Sequence, residues 1–446
     1  MSSRILIRGG CVLTLGSKTP NFTEADVLVD DGRVAEVGRG LSARDAELVD
    51  ATDTIVMPGF VDTHRHVWKS LFRNLGESGS SSEGQVPTAV YGHHHQPEDV
   101  YAATLIGLLG AVEAGITTVV DWSDIQFDDR FTEAALQAHA DAGLRTVFVH
   151  APPEWAESPV DGGPAVRRLV AGGAGATGSL CTIAVGSGEP GRTGLDRITD
   201  DWATARDLGL RIHAHAGSEP ADRGVVADLA VRRLLTDDVT LVHCSTLDDT
   251  DLDAIASSGV AVSLTPSSDM ASGLGSPPIQ RLIDRGIRPG LGVGSERVAP
   301  GDMFAQMRAA ISLQHATLFD LKLAGKAGLP RLLSTREVIR YATVDGARAV
   351  GLGGVAGSLE PGMQADVVVL RTDRPNVFPI NDPIGAVVWG MDTSNVDWVF
   401  AAGKPLMRCG VLEADLERAR NVATKARHRI ASASGLLVGT GSGGTG

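Results

Sequence analysis

The sequence predicts an α/β fold: a (β/α)8 TIM-type barrel with a small β-sandwich domain formed by both termini. Three observations predict it. Eight short runs rich in β-branched residues alternate with helical segments through the middle of the chain, which is typical of a closed parallel barrel. Apolar runs without helices between them stand at both ends. A length of 446 residues with 43% hydrophobic content suffices for one large barrel and a satellite domain.

The two ends of the chain predict one composite β domain. Short apolar runs at 5–15, 25–37 and 54–57 are punctuated by the turn signal Asp30-Asp31-Gly32. Similar runs return at 365–371 and 396–401. We therefore expect residues 1–57 and 362–420 to form the small β domain, residues 58–361 the catalytic barrel, and the Gly-rich residues 432–446 a disordered tail.

The middle of the chain supplies the eight barrel units. The predicted strands are 60–64, 116–122, 144–150, 181–186, 210–216, 239–244, 260–265 and 287–293. The predicted helices are 97–115, 130–143, 195–209, 224–235, 248–259, 279–286, 302–323 and 335–350. Several of these helices end in glycine, as helix C-caps do. A doubly wound open sheet is the alternative, but no GxGxxG follows the first strand.

Charge and cysteine usage exclude several classes of function. The net charge is −14 and no basic run interrupts it, so we expect neither nucleic acid nor an anionic membrane surface as a partner. The four cysteines are far apart and form no CxxC pair, which is typical of a reducing compartment. The first residues lack a long apolar run. We expect a cytoplasmic protein with a small-molecule substrate.

The strongest local signal for chemistry is Asp62-Thr63-His64-Arg65-His66. Residues two apart on a strand share a face, so both imidazoles are expected to point inward at the C-terminal end of the first barrel strand. Barrel enzymes keep their active sites there. Two neutral imidazoles suit Zn²⁺ or Fe²⁺, although two core histidines with backbone partners remain the simpler interpretation of this motif alone.

Further histidines strengthen the metal interpretation. His213 and His215 stand at the end of the fifth predicted strand, and His243 stands at the end of the sixth. Histidines at the same end of strands one, five and six converge on the barrel mouth. This joint pattern predicts a catalytic metal or histidine site.

Several segments resemble the amidohydrolase superfamily, and more narrowly its branch of triazine hydrolases, cytosine-deaminase-like enzymes and S-adenosylhomocysteine deaminases. They are Pro58-Gly59-Phe60-Val61-Asp62-Thr63-His64-Arg65-His66, Pro97-Glu98-Asp99-Val100-Tyr101, Ala114-Gly115-Ile116-Thr117-Thr118-Val119-Val120-Asp121, Leu241-Val242-His243-Cys244, Gly357-Ser358-Leu359-Glu360-Pro361-Gly362 and Ala365-Asp366-Val367-Val368-Val369-Leu370. The resemblance covers nearly the whole chain. It implies a (β/α)8 barrel, a composite β domain and a homo-oligomer.

The resemblance also implies a site and a reaction. His64, His66 and His215 would bind one divalent metal, Zn²⁺ or Fe²⁺, and His243 would polarise the scissile bond. The implied function is a metal-dependent hydrolase of the deaminase or amidohydrolase type. It would cleave C–N or similar bonds of a small heterocyclic substrate through a metal-bound water.

Two positions depart from the superfamily pattern. The last barrel strand of such enzymes ends in an aspartate that is both ligand and base, but Gly294 stands there in this chain. A glutamate usually follows the fifth-strand histidine by three residues, where this chain has Ser218. Three imidazoles can still hold zinc with an open position. Loss of a positioned acid or base typically lowers a rate by about 10²- to 10⁴-fold.

Other side chains are candidates to complete the site. Glu296, Glu219 and Ser295 are the catalytic candidates, with Glu189 as a further acid; Trp68, Asp124 and His213 are candidates for substrate binding, and Asp124 is also a candidate acid. Each acid is equally compatible with a solvated loop position, and Trp68 with a packing role. The Gly/Ser-rich segment 76–88 is expected to be a flexible loop on the catalytic face.

Three classes of function compete. The first is the metal-dependent hydrolase, which four histidines in register favour. The second is a divergent lyase, isomerase or cyclase on the same scaffold, with or without a metal, which Gly294 and Ser218 favour. The third is a non-catalytic binder, which the histidine set argues against.

Overall fold

A computed structural model describes residues 4–75, 88–153, 155, 162–175 and 178–436. The predicted flexible loop at 76–88 lies outside the described residues except for Thr88. The predicted disordered tail lies outside them from residue 437 onward. Its first residues are part of a helix instead, since Leu416–Ser434 is helical.

Five strands precede the barrel. They are β1 (Ile5–Val12), β2 (Phe22–Asp30), β3 (Arg33–Gly38), β4 (Glu47–Asp50) and β5 (Thr54–Pro58). The predicted run at 25–37 is thus a hairpin, in which the Asp-Asp-Gly turn signal separates β2 from β3. β1 pairs antiparallel with β2 and parallel with β4 and β5.

Eight parallel strands then form the barrel, as the sequence predicts. They are β6 (Phe60–Arg65), β7 (Ile116–Ser123), β8 (Arg145–His150), β9 (Cys181–Ser187), β10 (Arg211–Ala216), β11 (Val239–His243), β12 (Ala261–Leu264) and β13 (Gly290–Leu291). They pair consecutively from β6 to β13. A parallel bridge between Arg65 and Gly294 brings the last unit against the first.

The last barrel strand is much shorter than predicted. The prediction of a strand over 287–293 is wrong in extent, since regular pairing covers only Gly290–Leu291. The cause is close backbone packing: a Cβ on Gly292 would lie 2.7 Å from the backbone nitrogen and oxygen of His64. Glycines let this segment lie against β6 where side chains cannot fit.

The chain returns to the terminal sheet through β14 (Val367–Arg371), β15 (Val396–Ala401), β16 (Lys404–Arg408) and β17 (Val411–Leu412). The sheet order is β17-β16-β15-β14-β5-β1-β2-β3, with β4 beside β1. Arg33 at the far edge bridges back to Gln364, so the sheet curls around a core that includes Val27, Val367 and Phe400. The predicted composite β domain from both termini is confirmed.

The helices are α1 (Thr88–Gly92), α2 (Pro97–Glu113), α3 (Asp129–Ala142), α4 (Gly163–Ala171), α5 (Pro190–Thr193), α6 (Leu195–Asp207), α7 (Val225–Val231), α8 (Asp249–Ser258), α9 (Pro266–Ala271), α10 (Ile279–Asp284), α11 (Met303–Leu323), α12 (Thr335–Tyr341), α13 (Val344–Ala349), α14 (Pro383–Gly385) and α15 (Leu416–Ser434). The single helix predicted at 335–350 is wrong, because Thr343 adopts φ −140° and ψ −95° and divides it. In the described parts of the chain, no helix has the length and apolar character needed to span a bilayer.

The C-terminal helix α15 was not predicted from the sequence. It packs against α2 of the barrel. Arg429 forms an ion pair with the buried Asp99, and Arg418 donates a hydrogen bond to the Tyr101 hydroxyl at 3.0 Å. The helix therefore ties the end of the described chain to the barrel wall.

Candidate active site

Four imidazoles meet at the C-terminal mouth of the barrel. The ring of His64 lies 5.0 Å from that of His66, 5.1 Å from that of His215 and 5.5 Å from that of His243, measured between centroids. The rings of His215 and His243 are 5.0 Å apart. The structure thus brings together histidines from three strands of the barrel, β6, β10 and β11.

The innermost part of this cluster is rich in nitrogen donors. One ring nitrogen from each of His64, His215 and His243 lies within 4.8 Å of the other two. The Nε2 atoms of His64 and His215 are 3.4 Å apart. The ring of His66 is next to this group, 5.7 Å from the ring of His215.

Burial disfavours the protonated form of His64, His66 and His215. Burial first, and the neighbouring imidazoles second, hold the pKa values of His64 and His215 well below 6.5. Burial and the nearby Lys69 ammonium also lower the pKa of His66. Neutral imidazole is the form that binds metals.

Irregular backbone aims two of the rings. The pairing of β6 with β7 slips by one residue between Asp62 and Arg65, as in a β-bulge. At the end of β11, His243 and Cys244 both have positive φ, at 77° and 60°. The backbone N–H of Cys244 donates to Ala216 O at 2.8 Å. Consecutive non-glycine residues in this region are strained and are frequent at functional sites.

Asp124, at the end of the second barrel strand, holds His66. Its Oδ1 lies 2.8 Å from His66 Nδ1 and accepts a hydrogen bond from Trp68 Nε1 at 2.6 Å. Its Oδ2 lies 3.7 Å from Lys69 Nζ. Burial alone would raise the pKa of Asp124, but Lys69 and His66 outweigh burial and hold that pKa far below its usual range. The sequence singled out Asp124 and Trp68 but missed Lys69.

Asp269 holds His243 in the same way, and sequence reasoning missed it. Its Oδ1 lies 2.8 Å from His243 Nδ1, and Thr265 Oγ1 donates to the same oxygen at 2.5 Å. The Asp269 side chain is fully buried. Its position just after the seventh barrel strand was the available signal, since loops after barrel strands carry active sites.

A small cavity opens beside the imidazoles. It has a volume of about 150 Å³ and is lined by Trp122, Asp124, Pro152, Trp155, Arg192 and His215. The Trp122 indole stacks on the His215 ring at 3.9 Å with an interplanar angle of 11°. Two indole faces and one guanidinium therefore surround the space next to His215. None of Trp122, Trp155 and Arg192 was singled out from the sequence.

Gly294 lies beside the histidines, where the superfamily pattern has an acid. Its N–H donates to His64 O at 2.8 Å, and its carbonyl accepts from the His66 N–H at 2.9 Å. Its φ is +73°, and a Cβ would lie 2.8 Å from the Cβ and Oγ atoms of Ser268. The position is therefore closed to a carboxylate side chain unless α9 moves.

The other predicted catalytic residues, Glu296, Glu219 and Ser295, each contact a residue outside the imidazole cluster. Glu296 is buried, accepts from Arg73 Nε at 2.8 Å and accepts from Ser70 Oγ at 2.7 Å. Glu219 is half exposed and lies 3.6 Å from Arg192. Ser295 Oγ accepts the Arg297 N–H at 3.4 Å. Glu296 and Ser295 are thus engaged by other residues, whereas Glu219 contacts Arg192 of the cavity wall and stays a candidate.

Trp68 and His213 lie behind the site and do not line its cavity. Trp68 is fully buried, and its indole lies 5.9 Å from that of Trp155. His213 precedes His215 by two residues on β10, one layer nearer the N-terminal end of the barrel. Neither of its ring nitrogens has a hydrogen-bond partner among the described residues, and burial lowers its pKa to about 3. Both are therefore better described as supporting residues than as substrate contacts.

The donor set fits a divalent metal. One ring nitrogen from each of His64, His215 and His243 lies within 4.8 Å of the others, and Nδ1 of His64 has no hydrogen-bond partner among the described residues. Zinc sites with three imidazoles and one open position are a common catalytic arrangement. The carboxylate contacts at His66 and His243 orient those rings, as carboxylates do behind metal-binding histidines.

Barrel and cluster together define a class of enzyme whose barrel mouth carries histidines that could hold a metal ion. The chain belongs to the Amidohydrolase family, whose sequence profile matches residues 55–406. This confirms the superfamily resemblance, and the chain is a hydrolase of that family. The alternative of a lyase, isomerase or cyclase is not favoured.

Similar proteins carry deaminase names. The chain is 29% identical over 441 residues to a 5'-deoxyadenosine deaminase of Methanothermobacter thermautotrophicus, covering 92% of this chain and 94% of that one. It is 26% identical to a 5-methylthioadenosine/S-adenosylhomocysteine deaminase of Syntrophus aciditrophicus, covering 96% and 98%.

Two solved structures share the fold. An adenosine deaminase from Xanthomonas campestris with bound zinc superposes with a TM-score of 0.80 at 23% identity, covering 96% of this chain and 99% of that one. An atrazine chlorohydrolase from Arthrobacter aurescens TC1 complexed with zinc gives a TM-score of 0.80 at 23% identity, covering 95% and 100%.

Proposed function

We propose that this protein is a metal-dependent deaminase that removes an amino group from a purine-type heterocycle. The observation that carries the proposal is the cluster of imidazoles at the barrel mouth, in which burial holds the pKa values of His64 and His215 well below 6.5. The relatives that match more than nine-tenths of the chain are named as deaminases of adenosine derivatives.

His64, His66 and His215 would hold one zinc or iron ion. His64 and His215 face each other through their Nε2 atoms, and Asp124 engages Nδ1 of His66 and so leaves its Nε2 available. A bound divalent ion supplies Lewis acidity toward water and the scissile bond. The solved structures of similar fold that contain zinc support this choice of metal.

The cavity beside His215 fits a flat ring. Trp122 and Trp155 offer aromatic faces, while Asp124 and Arg192 supply a carboxylate and a guanidinium at its wall. Aromatic faces bind flat heterocycles by stacking, and convergent polar groups fix orientation. We propose that the heterocycle occupies this cavity with its reacting carbon toward the imidazoles.

His243 would transfer a proton at the reacting atoms. Its Nδ1 is engaged by Asp269, so Nε2 is the nitrogen that can contact water or the departing group. Deamination replaces a C–N bond by a C–O bond. One proton of water ends on the departing amino group, which leaves as ammonia, and the other stays with the product as its hydroxyl or tautomeric N–H hydrogen. An imidazole at this place accepts and returns such a proton.

We also propose a cellular compartment, a substrate class and an oligomeric state for the protein. The acidic charge and the four free cysteines support a cytoplasmic enzyme. The family resemblance supports a homo-oligomer with a small-molecule substrate.

The test is ammonia release by the zinc- or iron-loaded protein. The substrates are 5'-deoxyadenosine, 5-methylthioadenosine, S-adenosylhomocysteine and adenosine, with atrazine as the chlorinated comparison, for which chloride release is measured instead. We expect release from at least one purine, and its loss in His215→Asn. His139→Gln is the control, because His139 lies on α3, outside the imidazole cluster, and pairs with Asp121 of β7. Loaded protein that releases no ammonia from any purine contradicts the proposal.

A further inference from the structure

We infer that the carboxylate of this site has moved from the last barrel strand to α9, where Asp269 fixes the tautomer and orientation of His243. Asp269 is a positioning residue in this account, and His243 is the group that faces the reacting atoms. The catalytic consequence rests on the proposed function, whereas the tautomer does not depend on it.

The contact between the two side chains is buried and direct. His243 Nδ1 lies 2.8 Å from Asp269 Oδ1 and 3.2 Å from Thr265 Oγ1. Thr265 donates its hydroxyl hydrogen to Asp269, and Ser245 Oγ lies 3.4 Å from the other carboxylate oxygen. Among the described residues, no lysine or arginine nitrogen forms an ion pair with Asp269. The imidazole is therefore its main polar partner.

Helix capping does not explain the carboxylate. Asp269 stands in the first turn of α9, where acids often bind free backbone N–H groups. Its side chain makes no such bond, and the helix has no side-chain cap at Thr265. Since its oxygens face hydroxyls and an imidazole instead, its placement serves His243 more than the helix.

This contact selects one form of the imidazole. A carboxylate only accepts hydrogen bonds, so Nδ1 of His243 must carry the hydrogen. Nε2 is then a bare acceptor, and the ring lies beside His64 and His215. The strained backbone of His243 at φ +77° holds the ring in this direction. Two independent constraints thus fix the same side chain.

The glycine at position 294 makes this arrangement possible. The first turn of α9 occupies the space that a side chain there would need, because an added Cβ would lie 2.8 Å from Ser268 and 3.1 Å from Thr265 Cβ. Thr265 and Ser268 both precede Asp269 in the same turn, so the turn that fills this space also carries Asp269 to His243. Packing at Gly294 and placement of Asp269 therefore depend on the same turn.

Nitrogen NMR of the metal-free protein tests the tautomer directly. With ¹⁵N-labelled histidine, we expect His243 to show a protonated Nδ1 and an unprotonated Nε2 in the wild-type protein. The signals are assigned by their loss in His243→Asn, while His139→Gln and His66→Asn identify the signals of the two other Asp–His pairs. In Asp269→Asn, the amide can donate to Nδ1, so we expect the hydrogen to move to Nε2. A wild-type His243 with its hydrogen on Nε2 overturns the inference without any variant.

Kinetics test the consequence with a readout that a packing defect does not mimic. On 5'-deoxyadenosine, or whichever of the four purines releases ammonia, we expect Asp269→Asn to lower kcat by about 10²- to 10⁴-fold while KM changes by less than about threefold. Thr265→Val, which keeps the carboxylate, should lose far less. An unchanged kcat in a folded Asp269→Asn protein refutes the positioning role. If the wild type deaminates none of them, the proposed function fails and the NMR result still decides the tautomer.

Discussion

Two buried aspartate–histidine pairs flank the imidazole cluster, and they differ in what surrounds the carboxylate. Asp124, paired with His66, also contacts Trp68 and Lys69 and lines the cavity. Asp269, paired with His243, is fully buried and otherwise faces hydroxyls. Both Nδ1–carboxylate distances are 2.8 Å. The Asp124–His66 contact thus lies next to the Lys69 ammonium and the cavity. The Asp269–His243 contact lies among uncharged hydroxyl groups inside the protein.

The difference indicates a division of labour. Lys69 and His66 keep Asp124 charged at the cavity wall, which suits a carboxylate behind a metal-binding imidazole and near a substrate. Asp269 has no second partner with a formal charge among the described residues. The proposed function places His66 at the metal and His243 at the reacting atoms, and the following variants test these roles.

The largest expected effect comes from exchanging one histidine of each pair. We expect His66→Asn to lose both bound metal and ammonia release, because one of three ligands is removed. His243→Asn should retain metal and lose about 10²- to 10⁴-fold in kcat. Metal analysis and turnover are measured on the same preparations.

The reverse pattern contradicts the division of labour. In that alternative, the metal ligands are His64, His215 and His243, whose ring nitrogens lie within 4.8 Å of one another. If His243→Asn is metal-free and His66→Asn retains its metal, then the Asp269 pair belongs to the metal and the Asp124 pair to the reacting atoms.

An intermediate effect is expected at Gly294, because it packs against the turn that carries Asp269. Gly294→Asp adds a side chain at φ +73° into Ser268 and Thr265, so it should displace α9 and Asp269 but leave Asp124 in place. We expect a loss of about 2–4 kcal/mol in unfolding free energy, from about 1 kcal/mol of backbone strain plus overpacking. Denaturant unfolding measures it.

Gly286→Ala is the matched control for Gly294→Asp. Its φ is +72° and nothing lies within 4 Å of an added Cβ, so only the strain of about 1 kcal/mol should appear. Equal losses in the two variants would mean that contact with α9 is unimportant. A Gly294→Asp protein of unchanged stability would mean that the turn yields freely.

The smallest effect concerns an imidazole with no carboxylate. Burial, followed by the Arg211 charge, lowers the pKa of His213 from 6.5 to about 3. The unfolded chain therefore takes up a proton near pH 6.5 that the folded chain refuses. Its contribution to stability is complete above pH 6.5 and is lost as pH falls toward 3, by at most about 1.4 kcal/mol per pH unit.

Urea unfolding at pH 7.5 and pH 5 measures this term in the wild type and in His213→Leu. We expect the wild type to lose more stability on acidification than His213→Leu does. Equal losses would mean that His213 is protonated in the folded state, as a histidine paired with an acid would be.

The barrel and the histidines were within reach of sequence reasoning. Strand and helix rhythms fixed eight units, and His64, His215 and His243 stand at strand ends, where the geometry of a parallel barrel brings side chains together. Gly294 was correctly placed beside them, because its backbone bonds to His64 and His66.

Apart from Asp124, the acids were not within reach, because their roles depend on tertiary partners. Glu296 looked free in the sequence, yet Arg73 and Ser70 from another segment take up its oxygens. The role of Asp269 is visible only in the folded structure, where α9 packs against Gly294 and the carboxylate contacts His243. Likewise, the short last strand results from direct contact of Gly292 with the backbone of β6.

The most direct test of the account is elemental analysis of freshly purified wild-type protein, without added metal or chelator. The account predicts about one zinc or iron per chain, bound through the imidazoles. Protein that contains no metal, and that takes up none from excess zinc or iron, would contradict the metal-dependent reaction and leave His243 and Asp269 as a dyad for metal-free chemistry.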